Sequence, residues 1–109
     1  MNKTNILIGL LLLTPLVASA ADTPVLELKI KDHQFEPAQL EVPADTKVKL
    51  IVHNHDATPE EFESYDLNRE KIVSGNGKIT LFIGPLQPGT YKFFGEFHED
   101  TAQGSIVVR

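Results

Sequence analysis

The chain has 109 residues, of which 15 are acidic and 10 are lysine or arginine, so its formal net charge at pH 7 is −5. A negative surface disfavours nucleic acid and anionic lipid as partners, because both repel it. The absence of cysteine excludes disulfide bonds and every thiolate centre, including a cysteine nucleophile and a copper–thiolate site.

The first twenty residues have the pattern of a secretory signal peptide. Lys3 precedes an apolar run over residues 6–13, and residues 18–20 (ASA) have the small side chains of a cleavage site. The apolar run is shorter than the roughly 20 residues that a membrane-spanning helix needs. We therefore expect residues 1–20 to be removed and residues 21–109 to form one exported domain in a bacterial periplasm. An uncleaved membrane anchor is the alternative.

The remainder of the chain consists of short alternating segments separated by turn residues. Apolar and polar side chains alternate in six segments: residues 25–30, 39–43, 47–54, 78–84, 90–97 and 104–108. Several short alternating segments bounded by proline and glycine predict an all-β sandwich. Residues 66–73 interrupt the pattern, and we interpret them as an irregular or briefly helical connection between two sheets.

The same alternation assigns side chains to faces in the two acidic segments. In residues 60–64, Phe62 is predicted to point inward, whereas Glu61 and Glu63 point together to the other side. If the aromatic side chains of residues 91–97 face the core, Glu96 and His98 leave the strand on the same side, two residues apart.

Three segments resemble the cupredoxins, the small copper-protein β-sandwiches. Residues 35–54 (FEPAQLEVPADTKVKLIVHN) resemble the N-terminal signature, and residues 54–62 (NHDATPEEF) resemble the loop that carries the first histidine ligand. Residues 89–108 (GTYKFFGEFHEDTAQGSIVV) resemble the closing ligand loop. The resemblance implies a cupredoxin-like Greek-key β-sandwich of two sheets, with about seven or eight short strands.

The ligand positions depart from the blue-copper pattern, which uses two histidines, one cysteine and usually a methionine. By the resemblance, Glu60 occupies the first histidine position and Gly95 the cysteine position. The methionine position falls at Ala102 or Gln103, so His98 alone matches. Blue-copper electron transfer is therefore not expected, and we predict a colourless or faintly coloured protein.

A narrower resemblance concerns the segments TPEEFES and FFGEFHEDTA. They are similar to the cupredoxin-like domain of bacterial periplasmic ferrous-iron uptake systems. This implies a metal-binding accessory protein that holds iron and/or copper and assists oxidation or delivery. Its implied partner is a periplasmic iron-binding protein or an inner-membrane iron permease. Whether the protein acts as an enzyme stays open, and so does whether it forms a homodimer.

In this fold the loops around residues 60 and 98 are expected to meet at one pole of the sandwich. They carry the five residues that we predict as metal ligands: Glu60, Glu61, Glu63, Glu96 and His98. Carboxylates and imidazole suit iron, manganese, zinc or oxidised copper better than cuprous ion. The resemblance favours Glu60 as a ligand and the alternation favours Glu61 with Glu63, and the choice among them stays open.

Two alternatives need no metal. Arg69 and Lys71 are available to neutralise the acidic cluster, and a metal-free interaction domain would use its acidic pole to dock a basic partner. The three other histidines are assigned to surface or structural roles by fold-level analogy: His33, His53 and His55.

Overall fold

The computed structural model describes residues 23–109, so the predicted signal peptide, residues 1–20, lies outside the described residues. Residues 23–109 contain one 3-10 helix, Glu96–His98, and nine strands: β1 (Val25–Lys31), β2 (Gln34–Glu36), β3 (Gln39–Val42), β4 (Val48–Asn54), β5 (Glu60–Ser64), β6 (Arg69–Val73), β7 (Lys78–Ile83), β8 (Gly89–Gly95) and β9 (Gln103–Val108). Within this part of the chain no helix is both long and apolar enough to cross a membrane.

The strands form two mixed sheets. The four-stranded sheet has the order β2-β1-β4-β7, and the five-stranded sheet has the order β3-β9-β8-β5-β6. The β1–β4 and β3–β9 pairs are parallel, whereas the other pairs are antiparallel. The predicted all-β sandwich is confirmed. It has more strands than expected, because β2 and β6 also pair into the sheets.

The core lies between the two sheets and is built from the inward positions of alternating strands. Val48, Leu50 and Val52 of β4 are buried on the predicted face. Phe62 of β5 and Phe93 of β8 are fully buried, and their ring centroids lie 5.1 Å apart. Full burial of such side chains contributes roughly 1.5–3 kcal/mol each, so this core fixes which face of β5 points outward.

The prediction for residues 66–73 was wrong, because residues 69–73 form the edge strand β6. Its first four residues are exposed on both faces, and Val73 is its one buried residue. An edge strand has no neighbour on one side, so its inward-facing positions stay accessible and the alternation that marks a strand is lost.

The predicted strand 90–97 ends two residues early. The ladder of β8 stops at Gly95, and residues 96–98 turn into the 3-10 helix. The N–H group of Phe97 donates to the carboxylate of Glu60 at 2.8 Å instead of to a strand partner. Phe97 is consequently 46% exposed, although the alternation predicted that it faces the core.

Candidate functional site

Glu60 places a carboxylate inside the protein at the start of β5. The residue is 1% exposed. Its Oε1 accepts the N–H groups of Glu61 at 2.9 Å and Phe97 at 2.8 Å, and its Oε2 lies 2.7 Å from Nδ1 of His98. A buried carboxylate is tolerated only when its oxygens are hydrogen-bonded or paired. The Glu60–His98 contact confirms that the loops around residues 60 and 98 meet at one pole.

Gly95 is the residue that makes room for this carboxylate. A Cβ atom at position 95 would lie 2.6 Å from Cδ of Glu60 and 2.7 Å from Cβ of Ala102. A cysteine at position 95, as in a blue-copper centre, would therefore place its Cβ atom in the space that the Glu60 carboxylate occupies. These residues do not fit a copper–thiolate centre, because the carboxylate and the methyl group of Ala102 fill the space that the cysteine and methionine side chains would use.

The imidazole of His98 is oriented by Glu60 on one side and by His33 on its face. Glu60 accepts from Nδ1, which favours the tautomer with the proton on that nitrogen and leaves Nε2 as the acceptor. The His33 ring stacks on His98 with centroids 3.6 Å apart and planes inclined by 13°.

His33 is fixed in turn by Asp56 and Thr101. Nδ1 of His33 lies 3.5 Å from Oδ2 of Asp56, and the Thr101 hydroxyl donates to the His33 carbonyl at 2.6 Å. Burial disfavours ionisation of Asp56, but the N–H groups of His33 and Asp32 outweigh it, so the pKa of Asp56 lies below its usual range. Neither His33 nor Asp56 was predicted here, since both are distant from His98 in sequence and no local pattern links them.

A second acidic group lies on the opposite side of β5, on the outer face of the five-stranded sheet. Strand alternation turns Glu61 and Glu63 away from the core, and Glu70 of β6 pairs with Glu63 in the β5–β6 ladder. Glu61, Glu63 and Glu70 each offer a carboxylate oxygen, and these oxygens all lie within 4.8 Å of one another. We call these three residues the carboxylate triad.

The close approach of the carboxylates changes how readily they ionise. The hydrogen bond that protonated Glu61 donates to Glu70, desolvation and repulsion by neighbouring carboxylates raise the pKa of Glu61 to about 7. Desolvation and the charge of Glu70, together with the hydrogen bond that protonated Glu63 donates to Glu96, also raise the pKa of Glu63. Below about pH 7 Glu61 is therefore largely protonated, although an ordinary glutamate is ionised there.

No lysine or arginine between residues 23 and 109 forms an ion pair with the triad. Arg69, one of the two predicted neutralising residues, donates from Nε and Nη2 to the carbonyl oxygen of Phe82 at 3.3 and 3.1 Å. Its Nη1 donates to the carbonyls of Leu67 and Asn68. Its guanidinium is thus hydrogen-bonded to backbone oxygens and does not pair directly with a carboxylate of the triad.

The structure divides the five predicted ligands into two groups. Glu60 and His98 lie together at the pole, whereas Glu61, Glu63 and Glu96 belong to the outer face with Glu70. The cause is the two-residue period of β5 and the 3-10 turn at residues 96–98, which separates Glu96 from His98. Glu70 was missed because its segment was not recognised as a strand. Metal ligation by these residues stays a prediction.

The two groups offer different donors to a metal ion. The triad presents oxygen atoms only, which suit hard cations such as ferric or manganous ions. The pole presents imidazole nitrogens, but the two rings are nearly parallel, so their in-plane lone pairs do not converge on one point. The triad is therefore the better chelating geometry of the two.

Comparison with known proteins gives one close sequence relative and many structural ones. An uncharacterized protein of Rickettsia prowazekii (strain Madrid E) is 57% identical over 86 residues, which cover 77% of this chain and 69% of the relative.

Three solved structures illustrate the structural similarity. The copper protein auracyanin A of Chloroflexus aurantiacus has a TM-score of 0.69 at 15% identity, covering 81% of this chain and 100% of that protein. The metal-binding domain of the Streptococcus pneumoniae D39 Cu(I)-exporting ATPase CopA has a TM-score of 0.70 at 11% identity, covering 83% and 91%. The purple cupredoxin of Nitrosopumilus maritimus has a TM-score of 0.58 at 20% identity, covering 81% and 100%.

Identities this low show the fold alone. The family profile described as a cupredoxin-like domain, however, matches residues 4–108. That match covers nearly the whole sequence and agrees with the two-sheet topology. The chain belongs to the cupredoxin-like domain family, and it does so without the cysteine that defines the blue-copper centre.

Proposed function

We propose that this chain is an exported accessory protein of bacterial iron transport that binds a metal ion at the carboxylate triad. The observation that carries the proposal is the approach of three carboxylate oxygens to within 4.8 Å without a lysine or arginine paired to them among residues 23–109. The iron-transport role rests on the resemblance of the two acidic segments to iron-uptake domains, and the periplasmic location rests on the predicted signal peptide.

The physical reason for a metal is the charge of the triad. Three ionised carboxylates at this distance repel one another, and the raised pKa of Glu61 shows how the free protein lowers that repulsion by holding a proton. A di- or trivalent cation replaces the proton and offsets most or all of the charge of the three carboxylates. Carboxylate oxygens suit hard cations, and the choice of iron and/or copper among the metals rests on the resemblance to the iron-uptake domains.

The pole supports this site without taking part in the coordination. Glu60 is the first residue of β5, and its carboxylate is hydrogen-bonded to the N–H of Phe97 and the ring of His98 in the 3-10 helix. Glu61 follows Glu60 directly, and Glu96 precedes Phe97. Because both are adjacent to anchored residues, the buried hydrogen bonds fix the backbone from which the outer carboxylates project.

Delivery is the role that suits the exposure of the site. Glu61 and Glu63 are half-buried and Glu70 is exposed, so coordination positions on the solvent side stay open to water or to a partner's ligands. An accessory protein hands its metal on, and an open site permits ligand exchange with a periplasmic iron-binding protein or an inner-membrane permease.

Titration calorimetry of residues 21–109 tests the proposal. Ferrous iron under anaerobic conditions, manganous and cupric salts are titrated into wild type and into the Glu61→Gln/Glu63→Gln variant at pH 7.5. We expect wild type to bind one more equivalent of metal than the variant, and equal stoichiometry in the two proteins would refute the triad as the metal site. Glu41→Gln is the matched control, because it removes an exposed carboxylate on β3 that pairs with Arg109 at 2.7 Å. Binding weaker than millimolar by wild type for all three metals would refute a metal site.

A metal-free docking domain is the second candidate function, and one observation favours it. Exposed apolar side chains flank the triad. Ile72, 56% exposed, lies opposite Glu61 in the β5–β6 ladder, and Tyr65, 77% exposed, packs on Phe94 with centroids 5.4 Å apart. A basic partner segment with apolar side chains is complementary to that surface. The same calorimetry separates the candidates, since this one predicts equal metal binding by wild type and by the Glu61→Gln/Glu63→Gln variant.

A further inference from the structure

A separate group of metal-ligating side chains lies on the outer face of the four-stranded sheet. His53 and His55 are two residues apart at the end of β4, and Glu27 projects from the neighbouring β1. Oε1 of Glu27 lies 2.7 Å from Nε2 of His53, and the rings of His53 and His55 have centroids 6.3 Å apart and planes inclined by 30°. These three residues line one surface groove.

The backbone that presents the two histidines is rigidly held. Asn54, between them, is buried, and its amide donates to the carbonyls of Thr58 at 2.9 Å and Val73 at 3.2 Å. The N–H group of His55 donates to the carbonyl of Ile30 at 2.8 Å. Successive side chains of an extended segment point to opposite sides, so anchoring Asn54 inward keeps His53 and His55 together on the outer side.

We propose that Glu27, His53 and His55 form a binding site for a divalent transition-metal ion, distinct from the carboxylate triad. Two imidazoles and one carboxylate are the ligand set of non-haem ferrous centres, and the same donors bind zinc and nickel. Ligand atoms that share such an ion lie about 3 Å apart. The Glu27–His53 contact is a hydrogen bond at close to that spacing, and a bound ion would take the place of its proton. His55 joins the set once its exposed side chain rotates toward Glu27 and His53.

Two lysines near Glu27, His53 and His55 affect how strongly this group would bind a cation. Lys29 also lines the groove, but its ammonium lies 3.5 Å from the carboxylate of Glu36, which compensates it. Lys78 lies opposite His53 in the β4–β7 ladder, so its ammonium opposes a bound cation. Removing the charge of Lys78 is therefore expected to tighten metal binding at this place.

Calorimetry with zinc and nickel chloride tests the ligand assignment. We expect His55→Gln to weaken binding by about tenfold or more, since losing a ligand costs at least as much as losing an outer-shell partner. His55 is exposed, so this variant keeps the fold. Lys78→Gln is expected to strengthen binding, and the control His33→Gln to leave it unchanged. An equal loss in His55→Gln and His33→Gln, or no loss in His55→Gln, overturns the proposal.

Two further measurements locate the ion. Substoichiometric cupric ion should broaden the imidazole NMR signals of His53 and His55 before those of His33 and His98, and the reverse order contradicts the assignment. The Glu61→Gln/Glu63→Gln variant should retain this zinc site. Failure of the triad to bind metal would sink the proposed function and leave this site standing, whereas loss of the zinc site in that variant would show that only the triad binds.

Discussion

Replacing Glu60 with alanine removes the acceptor of three hydrogen bonds at once. The N–H groups of Glu61 and Phe97 and the Nδ1 group of His98 lose their partner, and the buried volume of the carboxylate is left unfilled. The three donors are part-buried, and each one left without a partner costs about 1–3 kcal/mol, with the lower end expected at this exposure. We expect Glu60→Ala to lower the free energy of unfolding by about 3–5 kcal/mol.

Urea denaturation followed by circular dichroism measures this loss. The midpoint should fall with an unchanged m value, which indicates lower stability without a change in the surface exposed on unfolding. His98→Ala removes one of the three hydrogen bonds and should cost less, and the double variant should cost less than the sum of the two single ones. Glu41→Ala, at an exposed ion pair with Arg109, is the control, with an expected loss below about 1 kcal/mol. A Glu60→Ala loss no larger than the control's would refute the reading of the pole as a buried anchor.

Three further predictions concern the space beside Gly95, the pKa of Glu61 and the buried ring of Phe93. Gly95→Ala should destabilise the protein by about 1–3 kcal/mol, because its Cβ would lie 2.6 Å from Cδ of Glu60; an unchanged urea midpoint would contradict the close contact. The pKa of Glu61 is raised to about 7 from an ordinary 4.5, so its stabilising contribution is present below pH 4.5 and is lost as the pH rises through 7. Urea midpoints should therefore fall between pH 6 and pH 8 in wild type and fall less in Glu61→Gln; equal slopes would argue against the shared proton. Phe93→Ala, in the fully buried aromatic cluster, should cost about 3–5 kcal/mol in the same assay, and a loss under about 1 kcal/mol would be inconsistent with its burial.

The fold was predictable because strand alternation and the core coincide over most of the chain. Val48, Leu50 and Val52 alternate with polar residues in the sequence and are buried in the structure. Strand β6 was not predictable from alternation, because it lies at the sheet edge and its first four residues are exposed on both faces. The alternation also failed at Gly95, where a side-chain carboxylate from another strand takes the hydrogen bond that would have extended β8.

The candidate site was predictable only in part. The two-residue period of β5 correctly predicted that Glu61 and Glu63 share one side of the strand. The resemblance correctly predicted that residue 60 lies next to His98. What sequence could not supply is which carboxylates meet across strands, since the pairing of Glu70 with Glu63 depends on a ladder that the pattern did not show. The stacking of His33 on His98 is likewise a tertiary contact between residues 65 positions apart.

The most direct test of the central claim is an anomalous difference map from crystals grown with manganous or ferrous ion and measured at the absorption edge of the metal. We expect a peak about 2.1 Å from carboxylate oxygens of Glu61, Glu63 and Glu70. A map with no peak at these oxygens, at a metal concentration that saturates the calorimetric titration, would contradict the assignment of the triad as the metal site.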